Sequence, residues 1–166
     1  MHDRGFEAES RSVLLAAELL DVTNEAELEG FLGRVVAATA RGVGGRLPAG
    51  TGRSLVAALR RTAERTLPAL ATLLGDPMGP PAGAEPSAAA TAARVYGLEL
   101  EGMSAEDRDY EIARQFLRFA QSATARAATA PASAAEAVAG AAREYAPGLR
   151  AADHGAATRL VSPIRK

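Results

Sequence analysis

The chain has 166 residues, 48% of them apolar by type, and a formal net charge of −1; it is long enough for one ordinary domain and too balanced in charge for wholesale disorder. Forty of its 79 apolar residues are alanine, and Leu, Ile, Val and Phe together number 33, so the core must be thin and completed by close packing of small side chains. There is no cysteine, which excludes disulfides, zinc ribbons and thiolate nucleophiles.

Periodicity and capping residues predict the elements in order. A short helix covers 10–20, SRSVLLAAELL. In the next, Asn24 caps and Glu27 answers it three residues on. Leu28, Phe31, Leu32, Val35 and Val36 form its apolar stripe, and RGVGG from Arg41 ends it. Its opposite stripe carries Gly30, Gly33, Ala37 and Ala40, small enough for a second helix to come very close. An internal helix is the expected neighbour, another chain the alternative. LPAGTG reads as a loop, and the following helix runs from 53 to 74 with a leucine-rich stripe and a basic face that includes Arg60, Arg61 and Arg65. Pro68 falls on its polar side and predicts a kink in place of a break.

GDPMGPPAGAEP, 75–86, is a linker by its four prolines and three glycines. Ser87 then caps a short alanine-rich helix that Gly97 stops near Tyr96. In GMSAEDRDYEIARQFLRFAQSA, Ser104 caps with Asp107, and Glu106 and Asp109 sit in the first turns, where the helix dipole favours carboxylates. Ile112, Phe116, Leu117 and Phe119 face the core. Ser133 and Glu136 form a capping box for a last helix to Tyr145, and 149–166 reads as a mobile basic tail. The fold class is therefore all-α: a compact bundle of five or six short helices, with two helical halves, 1–74 and 87–148, as its simplest organisation.

Charge runs in blocks: residues 1–33 hold 2 basic and 8 acidic groups, 34–75 hold 7 and 1, 76–111 hold 2 and 8, and 112–166 hold 8 and 3. The blocks pair within one fold by default, between copies otherwise.

Tests for chemistry come back empty. His2 and His154 lack an evident partner to hold the ring. The 104–115 stretch lacks the central glycine of a calcium loop, so no metal is expected. LPAGTGRS departs from a phosphate loop: Leu47 stands at the first glycine and Arg53 at the lysine. An enzyme would need a pocket joining Glu99, Glu101 or Glu106 to other polar groups. No cofactor and no nucleic acid are expected, the latter because the chain is neutral and nearly lacks lysine. No window approaches the ~18 apolar residues of a membrane span, and MHDRGFEAES lacks the order of a secretory signal, so the cytoplasm is the expected compartment unless export is signal-independent.

Taken together, EAELEGFLGRVVAATARGVGGRL, LRRTAERTLPALATLLG and LELEGMSAEDRDYEIARQFLRFA make residues 24–123 resemble a group of small, uncharacterised bacterial proteins. The shared features are a Phe-Leu-Gly helix, a basic glycine-containing middle, and Glu-Leu-Glu-Gly, Glu-Asp-Arg and Ala-Arg-x-Phe motifs. The resemblance implies no activity and no catalytic residues. Those relatives carry a longer glycine-repeat segment; Gly75 to Pro86 and the alanine-rich helix stand in its place here.

The expected function is a non-enzymatic interaction or self-assembly protein, a homo-oligomer or the partner of another protein. Its candidate interface residues are Gly30, Gly33, Ala37, Ala40, Arg60, Arg61, Arg65, Glu106, Asp107 and Asp109. The alternative is a membrane-surface or pore-associated protein using the basic helix 53–74.

Overall fold

A computed structural model describes residues 3–67, 70, 88–129 and 133–149. Six helices occupy them: α1 (Asp3–Leu20), α2 (Glu25–Gly42), α3 (Ala49–Thr66), α4 (Ala88–Tyr96), α5 (Ala105–Thr129) and α6 (Ala134–Tyr145). Further helical residues are Leu70 and 147–149, and no strand occurs among the described residues. The all-α expectation holds. His2, Pro68, the 75–86 linker, Ser87 and residues 150–166, with His154, lie outside the described residues.

Three helix starts follow the sequence closely. Asn24 Oδ1 accepts from the Glu27 N–H at 2.8 Å. The Glu27 carboxylate reaches one residue beyond the usual capping box and accepts from the Thr23 N–H and hydroxyl at 2.9 and 3.1 Å. Ser104 Oγ accepts from the Asp107 N–H at 3.2 Å, and Ser133 with Glu136 closes a full capping box. Helix ends follow too. Gly44, at φ +70°, lets the Gly45 N–H reach the Ala40 carbonyl at 3.0 Å, and Gly97, at φ +69°, lets the Leu98 N–H reach that of Ala93 at 2.9 Å.

Two boundaries differ from expectation. α1 begins at Asp3, seven residues before Ser10, because Glu and Ala in its first turns are good helix formers and acid is favoured at a helix N-terminus. The third helix begins at Ala49, inside the stretch read as a loop, and ends at Thr66, so it does not run unbroken past Leu67; residues 71–74 of the expected helix lie outside the described residues. Leu67 is extended, at φ −92° and ψ 113°. A residue preceding proline is pushed out of the α region, so the break falls at Leu67.

α5 is the axis of the bundle, packing against each of the other five helices, with α6 its most extensive neighbour. Phe116 and Phe119 are fully buried and meet one continuous core to which all six helices contribute, among them Leu19, Phe31, Leu55, Tyr96 and Ala141. Helices from both sides of the 75–86 segment thus share one core. Twelve of the thirty-one buried apolar residues of that cluster are alanine, so helix proximity, not side-chain bulk, closes the interior. Leu149, assigned to the tail, is buried; before it, a side chain at Gly148 would overlap the Arg94 carbonyl of α4.

Candidate interaction surface

α2 divides into two faces of opposite fate. Leu28, Phe31, Leu32, Val35 and Val36 are 0–5% exposed and lie in the core. On the other side Gly30 and Ala37 are exposed and Gly33 is half-buried. A Cβ added at Gly30 or Gly33 would meet nothing within 4 Å. Among the described residues no internal helix covers Gly30, Gly33 or Ala37; of this stripe only Ala40 is buried.

Gly33, Ala37 and Ala40 of this stripe, but not Gly30, form one wall of a groove of about 770 Å³. α3 supplies the other wall, with Gly52, Val56 and Ala57, and Leu47 and Pro48 close one end. The 42–48 turn is short, and Arg60 of α3 contacts Glu25 and Glu29 at the start of α2, so the two helices run antiparallel. LPAGTG reads as a loop, which hides the α3 wall in the sequence. The available signal was the i, i+4 spacing of Gly52 and Val56, which continues the small, apolar face one turn upstream.

Charge around this groove is unequal at its two ends. Arg60 Nη1 lies 2.6 Å from Glu25 Oε1 and 2.9 Å from Glu29 Oε1, so two carboxylates share one guanidinium. Arg60 Nε is buried without a hydrogen-bond partner, 3.9 Å from Glu64. At the other end Arg41 and Arg53 line the groove and make no ion pair among the described residues.

The remaining candidates do not join this surface. Arg61 and Arg65 line a separate cavity of about 660 Å³ between α3 and α6. Glu106, Asp107 and Asp109 lie at the start of α5 and make no ion pair with Arg60, Arg61 or Arg65 among the described residues. The first acidic and first basic blocks do meet within the chain, through Arg60 and through Arg34 with Glu18. Of the second acidic block, the one ion pair among the described residues is Glu111 with Arg114, at 3.8 Å. Glu99, Glu101 and Glu106 are exposed and line none of the cavities described, including one of about 620 Å³ between α1, α2 and α5 that Arg11, Arg34 and Arg118 border.

Buried hydroxyls pair with one another and with the backbone. The Thr66 hydroxyl donates to the Thr62 carbonyl at 2.8 Å, so its oxygen must accept from the Tyr96 hydroxyl 2.9 Å away. Burial pushes the Tyr96 phenol well above its ordinary value, which the Thr66 contact offsets only in part. The Glu27 carboxyl is lowered, chiefly by the Thr23 backbone N–H and then by its hydroxyl. Among the described residues no group of three or more His, Cys, Asp or Glu stands together as metal ligands, and no helix is long and apolar enough to cross a membrane. Comparison with family models, curated proteins and solved structures finds no match to this chain.

Proposed function

We propose that the protein is a non-enzymatic interaction or self-assembly component whose working surface is the groove between α2 and α3. The observation that carries this reading is the uncovered small-residue face of α2. Elsewhere in the bundle small residues bring helices together, yet here Gly33 and Ala37 line the groove beside Val56 and Leu47, and a Cβ added at Gly30 or Gly33 meets no described residue within 4 Å. A helix laid on glycine and alanine approaches to the near end of the usual 8–10 Å interaxial range, with wide backbone contact and little side-chain entropy to lose.

A membrane-surface role through the basic helix has less support. The apolar stripe of α3, Leu55, Leu59 and Ala63, is fully buried in the core, and Arg60 is engaged by Glu25 and Glu29.

The test is sedimentation equilibrium on the wild-type chain and on Gly33→Leu. The wild type should sediment above the monomer mass, and the variant as a monomer with unchanged helical circular dichroism. A wild type that stays strictly monomeric at high concentration, or a variant that associates as the wild type does, refutes the proposal.

A further inference from the structure

Resting on that reading, we infer that the groove takes α2 of a second copy of this chain, antiparallel, about a two-fold axis that passes opposite Val35. Charge points to a copy. Among the described residues, Glu25 and Glu29 at one end have only Arg60 between them, whereas Arg41 and Arg53 at the other have no acidic partner. A single chain is thus deficient in opposite sense at its two ends, and a reversed copy supplies what each end lacks. An unrelated helix would need this pattern by coincidence; the chain itself carries it.

The register follows from the positions. Pairing residues about Val35 sets Glu29 against Arg41 of the other copy, and Gly33 against Ala37, so each close approach joins a glycine to an alanine. Glu29 and Arg41 are twelve residues apart on α2, about 18 Å of helix, so both charge pairs lie outside the apolar contact, where they select orientation. A parallel pairing would instead set Glu29 against Glu29 and Arg41 against Arg41. Two-fold symmetry also closes the assembly at two chains, so no open face remains to propagate a filament.

Sedimentation equilibrium at low salt on the wild type, Glu29→Arg, Arg41→Glu and the double variant tests the register. Each single variant should raise the dimer Kd by about tenfold or more, and the double variant should return it toward the wild-type value, because the pairs reform with signs exchanged. Unchanged single variants, or a double variant as weak as either single, overturn the register. If the register falls while Gly33→Leu is still monomeric, self-association through the groove survives; a monomeric wild type removes both. Should a charge variant lose helicity, cysteine cross-linking replaces it, since the chain has no cysteine of its own. A mixture of Gly33→Cys and Ala37→Cys chains should cross-link readily, and Gly30→Cys alone should not. Efficient self-linking of Gly30→Cys overturns the antiparallel arrangement.

Discussion

The α5–α6 pair and the α2–α3 pair draw on the same small residues and reach different ends. In the first, Ala120, Ala123 and Ala127 of α5 and Ala137 and Ala141 of α6 are all under 10% exposed. Even Gly140 is covered, by the Arg126 side chain, which reaches on to Glu144 at 3.3 Å. In the second pair, Ala37 is exposed and a Cβ added at Gly30 or Gly33 meets no described residue within 4 Å. A small residue permits close approach without causing it; what decides is whether the topology brings a further helix to that side. α5 is surrounded by five helices, whereas α2 packs chiefly on α3 and α5, and no other described helix covers its remaining side.

The sharpest way to break this contrast is to place the same large side chain on both sides. Ala123 is fully buried, so Ala123→Leu must displace neighbours and should lower the unfolding free energy by about 1–3 kcal/mol, read as a lower urea midpoint. Gly33→Leu, measured in the same way on dilute, monomeric protein, should leave the midpoint unchanged or raised, because the added atoms begin in open space and leucine favours helix more than glycine. Equal losses in the two variants would mean that the chain covers its own groove in solution.

How much of this was legible depended on how local the determining physics is. Caps are local: Asn24, Ser104 and Ser133 each engage the N–H three residues on, as their sequences imply, and Gly44 and Gly97 end their helices. The core-facing stripes of α2 and α5 were likewise readable, since periodicity already encodes which side is apolar. The boundary before Pro68 follows from the proline's steric effect on Leu67, not from the polar side of the helix on which periodicity places Pro68. The surface was half-legible. The small stripe of α2 is plain in sequence, but that no described helix covers it is a property of topology, and the groove's second wall lies in residues that resemble a loop. Which charges meet was not readable at all: Arg60 finds Glu25 and Glu29 at separations of 35 and 31 residues, not the acidic start of α5.

A smaller effect should appear on the closed side through Tyr96. Tyr96→Phe removes the donor to Thr66 and should cost about 1 kcal/mol. Titration sharpens the assignment. The folded phenol is raised above the ordinary value of about 10 that it has when unfolded, so its contribution is complete below pH about 10 and is lost as pH rises toward the folded value. Urea midpoints at mildly and strongly alkaline pH should therefore fall more steeply for the wild type than for Tyr96→Phe. Parallel slopes would place the hydroxyl in solvent, and the interior around Thr66 would then be open, as the groove is.

The smallest change is the most discriminating, because its two effects have opposite signs. Gly33→Ala adds one methyl to a helix interior where nothing lies within 4 Å. Relative to glycine, alanine reduces the freedom lost on folding, so dilute protein should gain roughly 0.5–1 kcal/mol of stability. The same methyl stands at the closest approach to any helix laid in the groove, so association should weaken as folding strengthens. Urea unfolding at low concentration and sedimentation at high concentration read the two effects separately. A stripe that merely faces water predicts the gain without the weakening; a stripe covered by its own chain predicts a loss of stability. Only a face that is open in the monomer and filled by a partner gives both signs at one residue.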